Sequence, residues 1–141
     1  MQRHAKAQWK GDLKIGSGTI STDSGVLSNA QYSFKTRFEQ GTGTNPEELL
    51  AAAHAGCFSM ALSLTLQNEG LKADSIDTTC TVSLEQEGNG FAIKRSQLDL
   101  KAKIPGASQD AFNRAANTAK ENCPVSKLFD TEITLNAQLE S

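Results

Sequence analysis

Polar and apolar positions along the chain fall into two periods, and one long stretch follows neither. That stretch, Glu47 to Asn68, reads EELLAAAHAGCFSMALSLTLQN, with no Asp, Glu, Lys or Arg from Leu49 to Leu66. Thr44 or Asn45 suits its N-cap and Pro46 its first turn, while Glu47 and Glu48 complement the positive end of a helix dipole. Gly70 is a stop signal. At about 1.5 Å per residue the helix is a rod of roughly 33 Å. A helix without a solvated face is buried all round or sits in a membrane. The run barely reaches the ~20 predominantly apolar residues a span needs. It is also diluted with Ala, Gly, Ser and Thr, carries no basic flank and is not N-terminal, so a core helix is the expectation.

Elsewhere the pattern alternates. Ala7 to Lys10 and Thr19 to Thr22 read as short strands, with turns at Gly11-Asp12 and Gly16-Ser17-Gly18. Residues 1–8 are a ragged start or an edge strand. Gln31 to Glu39 alternates, with Tyr32, Phe34, Thr36 and Phe38 on one face and Ser33, Lys35, Arg37 and Glu39 on the other, which predicts a half-buried strand. Beyond Gly70, Ile76 to Glu85 places Ile76, Thr78, Cys80, Val82 and Leu84 inward. Glu87-Gly88-Asn89-Gly90 is a hairpin turn, and Phe91 to Ile104 the returning strand. Ser108 caps a second helix with apolar face Phe112, Ala115, Ala116, Ala119 and Cys123. Pro124 ends it, Val125 to Phe129 suits a short helix, and Glu132 to Leu139 alternates as a last strand. Three strands, helix, two strands, helix, strand is the order of an α+β fold with antiparallel sheets packed against buried helices.

Length and charge narrow the class. The 141 residues predict one domain, spanning 1–141. A net charge of −2 gives no footprint for nucleic acid or an anionic membrane surface. Such a chain has a diameter of roughly 37 Å, so the rod crosses nearly all of it. One protomer covers such a helix poorly, and a second copy is expected to complete the covering, as a homodimer. Three cysteines without a CxxC or a targeting segment fit a reducing cytoplasm rather than a disulfide scaffold.

The thiols differ in setting. Cys80 lies on the inward set of its strand and reads as core. Cys57 sits among apolar helix neighbours, where burial raises a thiol's pKa, so it is filler unless a cation reverses the effect. Cys123 precedes Pro124, at the N-terminus of the short helix, a place that stabilises a thiolate; a buried thiol at a kink is the plain alternative. His54 and Cys57 have the i, i+3 spacing of two metal ligands, but Cys123 and His4 would have to complete the set. Glu47 and Glu48 are by default dipole residues, and Arg37 a solvated strand residue. From the residues alone the chain is a dithiol protein with possible redox activity.

The strings WKGDLKIGSGTISTDSGVL, TNPEELLAAAHAGCFSMALS and NCPVSKLF, in that order and spacing, resemble the OsmC branch of the OsmC/Ohr family of thiol peroxidases. The resemblance runs from residue 7 to 141, and His54 fits the OsmC branch better than the organic hydroperoxide resistance branch. It implies an intertwined homodimer, with antiparallel sheets packed around buried central helices. It also implies reduction of organic hydroperoxides, and less efficiently of hydrogen peroxide, in stress defence. By motif, Cys57 is the peroxidatic nucleophile and Cys123 the resolving thiol. Glu47 orients a catalytic arginine, which the shorter TRF match places at Arg37. The resemblance requires no metal and no cofactor, and implies an external dithiol reductant such as a lipoylated protein. Arg37 would then supply the cation Cys57 lacks, gripped by Glu47 in a bidentate pair. The rival readings are a non-catalytic dithiol redox sensor or stress-binding protein, separated by turnover, and a metal-binding module.

Overall fold

Trp9 and Tyr32 meet over Gly18, and this contact fixes the register of the first sheet. The strands β1 (Ala5–Lys10), β2 (Ser17–Thr22) and β3 (Ala30–Tyr32) pair antiparallel in that order, with Trp9 opposite Gly18 and Gly18 opposite Tyr32. The two rings lie 5.4 Å apart. A β-carbon at position 18 would run into both of them, so only glycine lets the rings approach. The computed structural model describes residues 1–128 and divides into two units. The first is Met1–Ala52 with Thr81–Ser96, and the second is Ala53–Cys80 with the chain from Gln97 onward. The strand expected over 132–139, and Phe129 at the end of the short helix, lie outside the described residues.

Within the first unit the expected strand over Gln31 to Glu39 is cut short. β3 ends at Tyr32, and α1 (Phe34–Phe38) follows. Ser33 Oγ accepts from the Thr36 N–H at 3.2 Å, and Thr36 Oγ1 accepts from the Ser33 N–H at 2.9 Å, a reciprocal capping box. Phe34 and Phe38, one helical turn apart, bring their rings to 4.7 Å, and Phe38 also meets Phe91 at 5.0 Å. Aromatic positions 34 and 38 satisfy a period of two and a spacing of four equally well, and the cap decides between them.

The long helix α2 (Pro46–Asn68) begins in this unit and continues into the second. Asn45 caps it, its Oδ1 accepting from the Glu48 N–H at 2.8 Å. At the far end Gly70 takes φ +75°. The Leu71 N–H reaches the Leu66 carbonyl at 2.9 Å and the Gly70 N–H reaches that of Gln67 at 3.0 Å, a Schellman stop.

The second unit holds the core. Phe58, Leu62 and Leu66 from α2 pack with Ala115 and Ala119 of α3 (Gln109–Asn122) and with Cys123. The small alanines let the two helices lie close, and Ser108 Oγ caps α3 through the Ala111 N–H at 3.1 Å. A short helix α4 (Pro124–Leu128) follows directly. The hairpin β4 (Ser75–Glu87) and β5 (Gly90–Lys103) turns through Gly88 and Asn89, with Gly88 at φ +58°, and its turn end, Thr81–Ser96, belongs to the first unit. Ile76, Leu98, Leu100 and Ile104 cover the core from this side. By length and composition α2 would also cross a membrane. Its Phe58, Leu62 and Leu66 instead bury themselves in protein. The sequence's expectation of burial all round is not met within one chain: Met60 is 78% and Leu64 59% exposed.

Candidate active site

Two thiols meet at the centre of the second unit. Cys57 stands on the middle of α2, half-buried, and Cys123 is fully buried at the junction of α3 and α4. The two thiols lie close enough to shift each other's ionisation, and the Val125 backbone N–H favours the charged form of both. Burial pushes Cys57 up from the ordinary thiol range, and neighbouring Cys123 adds to the rise. Burial acts on Cys123 too, but donors outweigh it. Neighbouring Cys57, the Ser126 backbone N–H and hydroxyl, and the Val125 N–H bring its pKa down. The two thiols titrate as a coupled pair, with Cys57 shifted up and Cys123 shifted down. Pro124 is responsible: it ends α3, starts α4 and turns the free N–H groups of that first turn onto the sulfur.

His54, one turn before Cys57, is buried, and burial lowers its pKa. Its Nε2 lies 2.8 Å from Ser126 Oγ and its Nδ1 lies 3.9 Å from Cys80 Sγ. Cys80, expected in the core, is half-buried, with its sulfur against the His54 ring. Ser126 escaped the sequence reading. The signal available was a hydroxyl in the first turn of the helix that Pro124 opens, where a short side chain reaches back to the N-cap. Beside Cys57, the residues Met60, Ala61, Leu64 and Pro124 with Thr65 and Asn122 line a largely apolar groove of about 730 Å³.

The first unit holds the expected ion pair. Arg37 Nε and Nη2 lie 3.0 Å and 2.9 Å from Glu47 Oε1. Both donors converge on one oxygen, so the expected fork-to-fork bidentate grip is not formed. Oε2 is buried and has no partner among the described residues. Arg37 rides on α1 and not on a strand's polar face, its guanidinium 5.6 Å from the Phe38 ring centre. It faces an aromatic cavity of about 270 Å³ lined by Trp9, Tyr32, Phe34 and Phe38. Glu48 points elsewhere and accepts from Thr44 Oγ1 at 2.9 Å. His4 pairs with Asp23 at 3.1 Å, and the described residues contain no group of three or more His, Cys, Asp or Glu placed to hold a metal ion.

Two adjacent free thiols, one half-buried on α2 and one buried beside the N–H groups that open α4, are the arrangement of a dithiol redox protein. Residues 39–138 match the model of the family described as OsmC-like protein, and the chain belongs to that family. It is 50% identical to Peroxiredoxin OsmC of Escherichia coli, over all of this chain and 99% of that protein. It is 29% identical to the organic hydroperoxide resistance protein OhrB of Bacillus subtilis, covering 87% of this chain and 89% of the relative. The crystal structure of that OhrB superposes with a TM-score of 0.66 over 89% of each chain, at 28% identity. An organic hydroperoxide resistance protein from Elizabethkingia anophelis gives 0.67 at 26% identity, over 91% of this chain and 89% of the other. The α+β fold with antiparallel sheets is that of these structures.

Proposed function

We propose that this chain is a thiol peroxidase that reduces organic hydroperoxides, and hydrogen peroxide less efficiently, with Cys57 as nucleophile. The observation that carries the reading is the free thiol of Cys57 at the wall of an apolar groove, next to the free thiol of Cys123. The Cys57 thiolate attacks the terminal peroxide oxygen. The O–O bond breaks, the alkoxide leaves and takes a proton as the alcohol, and Cys57 becomes a sulfenic acid. Cys123 then condenses with it to a disulfide and releases water. An external dithiol reduces the disulfide and closes the cycle.

Attack requires Cys57 ionised, although burial and the neighbouring Cys123 both raise its pKa. Arg37, held by Glu47, supplies the opposing permanent charge and donates to the peroxide. The bare Met60 and Leu64 on α2 support a homodimer in which a second copy covers this face. Apolar surroundings of Cys57, which the second copy would complete over Met60 and Leu64, favour an alkyl peroxide over a small polar one. The working compartment on this reading is the reducing cytoplasm. Steady-state turnover of tert-butyl or cumene hydroperoxide against hydrogen peroxide, with a dithiol as reductant, tests the assignment. Faster turnover of the organic peroxides is the expected result. Oxidation of one equivalent without turnover would mark a sensor instead.

A further inference from the structure

The side chain of Asn45 does more than cap α2. Its Oδ1 accepts from the Glu48 N–H at 2.8 Å, and its Nδ2 donates to the Thr36 carbonyl at 3.1 Å. A backbone N–H only donates and a carbonyl only accepts, so the two partners fix which end of the amide faces which. Thr36 lies in α1, and its carbonyl is one of the last in that helix, which the helix cannot satisfy by itself. That carbonyl belongs to the planar peptide unit joining Thr36 to Arg37. The other side of the same unit is held as well, because the Arg37 N–H donates to the Ser33 carbonyl at 3.2 Å. One amide therefore ties the peptide that carries Arg37 to the first turn of α2, which carries Glu47. Thr44 works beside it: its N–H reaches the Gln31 carbonyl at 2.8 Å, and its hydroxyl holds Glu48. Of the two acids in that turn, this leaves Glu47 for Arg37. All of these groups lie in the first unit.

We propose that Asn45 is a positioning residue for Arg37, fixing α1 on the first turn of α2 so that the guanidinium stays on Glu47. The inference rests on the peroxidase reading above, in which Arg37 supplies the charge for attack, and adds a residue that acts through Arg37. A helix of five residues has too few internal hydrogen bonds to hold its own place, so its place is set by what it is tied to. The Arg37 side chain is 39% exposed, and an ion pair open to water holds a long side chain weakly. Holding the two backbones at the right separation beforehand removes part of the cost of ordering it. Asparagine meets both demands at position 45. Aspartate caps a helix equally well but has no donor for the Thr36 carbonyl, and serine offers one short hydroxyl in place of a two-ended amide.

The test separates position from stability. Nuclear magnetic resonance follows exchange of the Arg37 Nε–H with water, and rapid mixing with cumene hydroperoxide reads the rate of Cys57 sulfenic acid formation. Both are measured in wild type, Asn45→Ser, Asn45→Ala, Arg37→Met and the Asn45→Ser/Arg37→Met double variant, the exchange wherever Arg37 is present. In wild type the Arg37 Nε–H, which donates to Glu47 at 3.0 Å, should be protected. Asn45→Ser keeps a helix cap and loses the tie, so protection should fall and attack should slow roughly 3- to 10-fold, the worth of one hydrogen bond. Asn45→Ala loses the cap too and should melt lower, yet react no more slowly than Asn45→Ser. Because Asn45 acts through Arg37, the double variant should react no more slowly than Arg37→Met alone. Unchanged protection or unchanged attack in Asn45→Ser would overturn the proposal, as would an added slowing in the double variant or rates that simply follow melting temperature. An Arg37 Nε–H unprotected in wild type would overturn it as well. Failure of wild type to form sulfenic acid would count instead against the peroxidase reading, and the Arg37 exchange would still decide the role of Asn45.

Discussion

At the scale of single residues, the proposed chemistry makes its sharpest demand on Arg37. Burial raises the pKa of Cys57, and the neighbouring Cys123 adds to the rise. A nucleophile working near neutral pH needs a cation strong enough to reverse both. Histidine loses its charge near neutrality, and burial moves His54 further that way, whereas an arginine stays charged throughout. Arg37→Met should therefore slow peroxide attack at least ~10-fold, about 1.4 kcal/mol in the barrier. The sign of the pH effect follows. The thiolate fraction falls as pH drops through the Cys57 pKa, so raising that pKa shifts the loss of activity to higher pH. Glu47→Gln weakens the Arg37 contact and should act in the same direction but more mildly. Glu48→Gln touches only Thr44 and should change little. The pH dependence of Cys57 alkylation in the three variants checks this, and a larger loss in Glu48→Gln than in Glu47→Gln would contradict the role of Glu47. The thiols and Glu47 stood out in the sequence because each occupies a position with its own local logic: mid-helix, N-cap, first turn. Ser126 and the His54–Cys80 contact did not, because residues 54, 80 and 126 meet only after the chain has folded.

Elements were legible where one period dominated. The uncharged run became α2, the alanine stripe became the buried face of α3, and Gly88-Asn89 became the hairpin turn. The segment from Gln31 to Glu39 was misread because its aromatic spacing fits two periods, and the serine–threonine box that settled it looks like ordinary strand polarity. That box gives a direct check: Ser33→Ala should cost about 0.5–2 kcal/mol of stability by removing the cap of α1. Because Arg37 rides on α1, the same variant should also loosen its contact with Glu47 and lower activity more than a surface change would. The core of α2 makes larger demands. Leu62 and Leu66 are fully buried, and Leu62→Ala should destabilise by about 2–5 kcal/mol in denaturant melts with an unchanged m-value. Met60→Ala, on the bare face of the same helix, should cost an isolated protomer far less.

For the whole molecule, the uncharged rod is the dominant fact. One chain buries Phe58, Leu62 and Leu66 but leaves Met60 and Leu64 open, an arrangement a stable solitary chain would rarely keep. The proposed homodimer would make good that shortfall. Its interface should exceed roughly 2,000 Å², the range of obligate assemblies. Sedimentation should show the dimer persisting at low concentration, and a folded, stable monomer at micromolar concentration would remove the argument. Charge substitution at Met60 or Leu64 should weaken the dimer, and with it activity, while leaving the core of the second unit formed.

The pairing of Cys57 with Cys123 is the claim on which the account rests, and mass spectrometry after one equivalent of organic hydroperoxide tests it most directly. Wild type should carry a Cys57–Cys123 disulfide. Cys123→Ser should stop at one oxidation of Cys57, trapped as a sulfenic acid, and Cys57→Ser should consume no peroxide. Cys80, which stands against His54 in this structure, is the other candidate thiol. Finding it joined to Cys57 in place of Cys123, or finding turnover retained in Cys57→Ser, would contradict the account.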